Sequence, residues 1–175
     1  MLFRSSKFAG KSLQVTFDGA AANILFSNDT QINLQVPDSL AGKTTSRLVV
    51  TVDGFSSAPM NVPLAISAPA IFPGAVLNQD STANREGAPA SAGSILQIFA
   101  TGLPASGVIT AKVHDRTVTS LYYAGPAPGL PGVQQVNVAI PDDLPAMQTW
   151  VYVCGNGVCT PGDKLWIIRP TLPGS

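Results

Sequence analysis

One ten-residue stretch occurs twice in this chain: Gln31-Ile32-Asn33-Leu34-Gln35-Val36-Pro37-Asp38-Ser39-Leu40 returns as Gln135-Val136-Asn137-Val138-Ala139-Ile140-Pro141-Asp142-Asp143-Leu144. A chain that repeats itself folds as repeated modules, an arrangement more often used for scaffolding or binding than for compact catalysis. The correspondence extends to both flanks. Val15-Thr16-Phe17-Asp18-Gly19 and Ile24-Leu25-Phe26 match Lys112-Val113-His114-Asp115-Arg116 and Leu121-Tyr122-Tyr123, and the segment 47–54 matches 149–155. The second copy carries seven extra residues before its Gln-Val-Asn segment, inside the Pro/Gly-punctuated stretch 124–132. That punctuation predicts a lengthened loop without regular structure.

Each copy reads as β. Of ten acidic residues nine are Asp and only Glu86 is Glu, while Gly and Pro supply 16 and 15 positions, a turn-rich and helix-poor inventory. Short apolar segments at 13–17, 24–26, 31–36, 48–52, 60–66, 95–100, 108–114, 134–140, 150–154 and 165–168, parted by turn clusters, predict an all-β fold of two tandem sandwich modules. The domains are expected at 1–68 and 69–175, the latter including a stiff connector, Ala68-Pro69-Ala70-Ile71-Phe72-Pro73-Gly74, and a polar loop over 78–94. Ten basic and ten acidic groups cancel, which gives no basic footprint for nucleic acid. No apolar run reaches the roughly 18 residues of a membrane span, and the first ten residues show no signal-peptide core.

The second copy opens with Gly93-Ser94-Ile95-Leu96-Gln97-Ile98-Phe99-Ala100-Thr101-Gly102, and nothing before Leu13 matches it. The first module is therefore expected to lack its opening strand and to leave a sheet edge that residues 1–12, the second module or a second copy of the chain must cover. A homodimer through that open edge is one of these routes.

Gln-Ile-Asn-x-Gln-Val-Pro, Ala-Pro-Ala-Ile-Phe, Val-Leu-Asn-Gln-Asp and Ile-Phe-Ala-Thr-Gly-Leu, in this order over about residues 10–170, resemble the Solibacter-type C-terminal domain family. The resemblance implies immunoglobulin-like β-sandwich modules of exported or surface bacterial proteins, with no catalytic residues to carry over. It also implies an extracytoplasmic, oxidising setting. In that setting Cys154 and Cys159, across the turn signal Gly155-Asn156-Gly157-Val158, are expected as a disulfide, with a free pair as the alternative.

Three further groups carry candidate chemistry. Asn78, Asp80, Asn84 and Glu86, with Thr82 between them, place oxygens on alternate residues of a loop, the donor type Ca²⁺ requires, although Asx-turns account for the same side chains and take precedence. His114, the one histidine, is followed by Asp115, a pairing of base and carboxylate found in hydrolases. In the alignment, however, His114 takes the place of Phe17 on a strand, where packing is the simpler role. Gln31 with Asn33 and Gln135 with Asn137 set amides on one strand face that can form a polar binding platform or cap loop backbone inside each module, and the second role is preferred because both copies keep them at the same internal position. A three-ligand zinc site is excluded by one histidine and two cysteines, and no Gly-x-Ser-x-Gly elbow occurs. The sequence thus predicts a binding or scaffold module for a protein or carbohydrate partner, in the extracytoplasmic setting that the resemblance implies. Its competitor is a small Ca²⁺-assisted hydrolase of esters or lactones using His114 and Asp115.

Overall fold

Residues 10–169 are described by the structure, a computed structural model. The chain divides into two compact units, Met1–Ile66 and Ser67–Ser175, parted two residues before the boundary drawn from sequence. Among the described residues there is no α-helix.

The first unit holds β1 (Leu13–Phe17), β2 (Ala20–Ala21), β3 (Asn23–Ser27), β4 (Ile32–Gln35), a short 3-10 turn (Asp38–Leu40), β5 (Thr45–Val52), β6 (Phe55–Ser56) and β7 (Met60–Pro63). One sheet runs β2-β1-β5-β6, with β7 also on β5, and β3-β4 forms a separate ribbon. Val15 and Phe17 alternate inward on β1 and, with Leu40, form the buried centre, against which Ile24, Ile32, Leu34, Leu48 and Val50 are only partly covered.

The second unit holds β8 (Ala70–Leu77), β9 (Ala90–Ser91), β10 (Ile95–Thr101), β11 (Ile109–Val113), β12 (Arg116–Val118), β13 (Tyr123–Pro126), β14 (Gln134–Ala139), β15 (Met147–Gly155), β16 (Val158–Cys159) and β17 (Asp163–Ile168). Its sheets run β13-β14-β10-β8 and β12-β11-β15-β17-β9, with β16 on β15. Leu96, Ile98 and Ala100 of β10 and Val136 and Val138 of β14 belong to one core with Ala111, Val113, Val151, Val153, Leu165 and Ile167. Strict alternation of branched apolar residues produces this sandwich, because side chains two apart share a face.

The sheet edge expected to be open falls on β4. Strand β14 pairs with β13 on one side and β10 on the other, whereas β4 pairs only with β3 among the described residues. Residues 1–9, part of the segment expected to cover this edge, lie outside the described residues. Ser12 instead prolongs β1: its N–H donates to Asp53 Oδ1 and its carbonyl accepts from Asp53 N, both at 2.9 Å.

Three sequence expectations need correction. The presumed connector 68–74 is largely strand, since β8 pairs with β10 as an edge of the second unit. The extra residues at 124–132 do not simply lengthen a loop. Ala124, Gly125 and Pro126 pair with Val136, Gln135 and Gln134, which extends the hairpin, and Pro126 is tolerated at the end of an edge strand, where a missing N–H costs little. The flank alignment is also one residue out of register. Phe17 pairs Ala20 around Asp18-Gly19 and Val113 pairs Arg116 around His114-Asp115, so Val113 is the counterpart of Phe17, and His114 that of Asp18. His114 is a turn residue with φ 59°, as Asp18 is with φ 50°, and not a packed strand residue.

Asp18 holds its turn electrostatically. Its carboxylate accepts from Lys43 Nζ and from Arg47 N, each at 2.8 Å. The Lys43 ammonium first, and the Arg47 N–H second, lower its pKa from 3.8 to about 2. A depressed carboxylate stabilises the fold above its unfolded pKa, and that contribution is lost as pH falls through the folded value. Amide-exchange protection of Arg47 N–H should therefore fall between about pH 4 and about pH 2, the two values that bound the shift. Asp18→Asn should remove that dependence, and an unchanged slope in the variant would contradict the assignment.

Candidate functional site

Strand β15 alternates cleanly: Thr149, Val151 and Val153 are buried, while Gln148 and Trp150 are exposed and Tyr152 is half-buried. Its neighbours follow. Lys112 of β11 is exposed between buried Ala111 and Val113, and on β17 exposed Lys164 and half-buried Trp166 alternate with buried Leu165 and Ile167. Cross-strand register sets Lys112 opposite Tyr152, Trp150 opposite Lys164 and Gln148 opposite Trp166. One sheet face thus presents three aromatic side chains, each beside a long polar one, with neighbouring strands ~4.8 Å apart.

One ring of the face is held in place by backbone. A Cβ on Gly162 would lie 2.8 Å from Tyr152 Cε1, so the ring rests on bare backbone and its orientation is fixed there. Trp150 is 45% exposed, unusual for so large a ring. Neither Lys112 nor Lys164 is ion-paired among the described residues, and the strand positions sharing their face carry no acidic side chain. The sequence reading did not single out these residues, since a Trp or Tyr on a strand reads first as core. The parity of β15, with Val151 and Val153 between the rings, is the signal that points them outward.

The polar loop is fastened internally. Asn78 Nδ2 donates to Thr82 Oγ1 at 3.0 Å and Ala88 O at 2.9 Å, and Asn84 Nδ2 donates to Asn78 Oδ1 at 2.8 Å and Trp166 O at 2.9 Å. Trp166 N donates to Asn84 Oδ1 at 2.8 Å, so Asn84 acts as a strand-like clasp on β17. Asp80 turns back on Thr82, whose hydroxyl and N–H lower its pKa. Glu86 is exposed. Of the four expected metal ligands the structure joins Asn78 and Asn84 directly. No group of three His, Cys, Asp or Glu suited to a metal occurs among the described residues. Asn78, Gln79, Asp80, Ser91 and Ser94, with Pro89 and Ala90, line a shallow polar recess of ≈ 180 Å³, below the size of usual ligand pockets.

His114 sets its Nδ1 2.9 Å from Thr149 Oγ1, while Nε2 stands 3.8 Å from Asp115 Oδ1, beyond hydrogen-bond range. Thr149 is only 5% exposed, so its hydroxyl serves the turn and is not open to solvent. The Gln-Asn pairs differ from expectation: Gln31 Nε2 donates to Asn33 Oδ1, and Gln135 Nε2 to Asn137 Oδ1 at 2.8 Å, side chain to side chain within each segment. The backbone cap falls to Gln134, which both accepts from Leu103 N at 2.8 Å and donates to Leu103 O at 3.0 Å.

Cys154 and Cys159 form a disulfide across the β15-β16 hairpin, their Cα atoms 3.9 Å apart. It closes a very short loop, so reduction should cost about 2 kcal/mol, because the entropy removed from the unfolded chain grows only with the logarithm of loop length. Urea melts with and without reductant measure this, and a loss well above that figure would mean the bond has a larger role.

With this geometry in place, comparison with known proteins adds the following. Residues 3–64 match the family model of the IPT/TIG domain. The first unit is immunoglobulin-like. A solved structure of SGBP-B from the Bacteroides ovatus mixed-linkage glucan utilization locus, in complex with a mixed-linkage heptasaccharide, is similar at 12% identity and a TM-score of 0.45. The likeness covers 89% of this chain and 38% of that one, so this chain corresponds to well under half of that protein. No curated protein matches the chain. The immunoglobulin-like match and the all-β sandwich of the second unit fit a binding or scaffold module.

Proposed function

We propose that this chain is a non-catalytic, extracytoplasmic binding module of a bacterial surface or secreted protein, of the Solibacter-type kind, that engages a carbohydrate or protein partner. The observation that carries the reading is the outward-facing row of Trp150, Tyr152 and Trp166 on a sheet whose inner face already fills the core. Rings not needed for folding are the usual material of recognition surfaces. The Cys154–Cys159 disulfide supports the oxidising setting. The edge of β4, unpaired among the described residues, supports pairing with a second copy, which light scattering over a concentration series tests. Immobilised protein probed with glycan and protein panels should capture a ligand that Trp150→Ala loses. Failure of every ligand to bind a correctly folded sample would overturn the reading.

A second reading draws on the His114–Thr149 hydrogen bond, which orients the imidazole. In it Asn78, Asp80, Asn84 and Glu86 hold Ca²⁺, and His114 with Asp115 moves the proton in ester or lactone hydrolysis. Assays on ester and lactone panels with and without EDTA separate the two: EDTA-sensitive turnover abolished by His114→Ala supports the hydrolase, and its absence supports the binding module.

A further inference from the structure

We propose that the outward face of the β12-β11-β15-β17-β9 sheet binds a linear polysaccharide bearing uronic acid carboxylates. This rests on the binding-module reading and names its ligand. Three features of the face converge on this chemistry.

Flat aromatic rings exposed on a rigid strand offer apolar surface to the C–H faces of pyranose rings, and Trp150 and Tyr152 stand two apart on β15, the spacing that keeps both on one face. The Tyr152 ring is held against Gly162, so little side-chain freedom is lost when a sugar stacks on it. Beside each ring in register lies a lysine, Lys112 next to Tyr152 and Lys164 next to Trp150, and no acid shares their face. A neutral glycan would leave these two ammonium groups without a role, whereas a carboxylate on the stacked sugar or on the next one meets them. Gln148 and Thr117 add the amide and hydroxyl groups that sugar hydroxyls use. Single-stranded nucleic acid also stacks on aromatics, but it carries a charge at every nucleotide and is held by grooves of many cations. This face supplies two.

Affinity electrophoresis of the full chain in gels containing polygalacturonate tests the assignment, with a neutral β-glucan and poly(dT) in parallel gels. Polygalacturonate should retard the protein. Trp150→Ala and Tyr152→Ala should each weaken retention about tenfold, and Trp150→Phe should keep most of it. Lys112→Gln combined with Lys164→Gln should reduce retention to a weak residue, and raising salt from about 50 mM to about 500 mM should weaken retention of the wild type but not that residue. Equal retention by the neutral glucan, or by poly(dT), would overturn the ligand class. Retention by the neutral glucan alone, lost in Trp150→Ala, would overturn this inference and leave the binding-module reading standing. Failure of every polymer in this assay and of every ligand in the capture panels, with an unchanged melting curve, would overturn both.

Discussion

Residues 67–175 produced alone should unfold in one cooperative transition, whereas residues 1–66 alone should show no cooperative melt. Seventeen apolar residues are buried in the core of the second unit and three in that of the first, among the described residues. A small sandwich survives on the apolar area it removes from water, at roughly 25 cal/mol per Å², set against a conformational entropy cost spread over every ordered residue. In the first unit Ile24, Ile32, Leu34, Leu48, Val50, Val62 and Leu64 are only partly buried, and among the described residues β4 pairs with β3 alone. Calorimetry of the two fragments decides the matter. A sharp transition in 1–66 of size similar to that in 67–175 would show that the small core is sufficient.

Gly102→Ala should cost about 3 kcal/mol or more and lower the midpoint of the second unit visibly. Gly102 has φ +71°, and a Cβ there would sit 2.0 Å from the carbonyl oxygen of Ala68. The same residues are joined by a 2.9 Å hydrogen bond from Ala68 N to Gly102 O, which continues the β8-β10 pairing past Ala70 and Thr101, so the segment leading into β8 cannot retreat without losing that bond. Gly129 provides the control. Its φ is +75° but nothing lies within 4 Å of a built Cβ, so Gly129→Ala should show only the backbone penalty of about 1 kcal/mol. Equal effects in chemical denaturation of the two variants would show that the overlap at Gly102 relaxes freely.

The strands of the second core were legible because alternation at period two survives in β10, β11, β14 and β17, as in Ile95–Thr101, where buried and partly buried residues change places at each step. Register was harder. Asp18 and Asp115 invite alignment because they are the same residue, yet the turns place Asp18 with His114, and one residue of slip inverts a strand's faces. Asn84 illustrates what local reading omits: its two bonds to the Trp166 backbone span 82 residues, and no neighbouring sequence marks them. Its own loop, read as a candidate ion site, is occupied largely in holding itself to β17. The outward rings of β15 sat between these cases, since their parity was visible but their exposure depended on which face the sandwich buried.

The disparity between the two cores also has a mechanical side. In a chain held at both ends, tension falls equally on every link, and the module with the least buried surface yields first. Stretched within a longer assembly, the first unit would give way while the second stayed folded. Each residue released would add up to about 3.3–3.6 Å of contour and let the assembly lengthen before the second unit bears the full load.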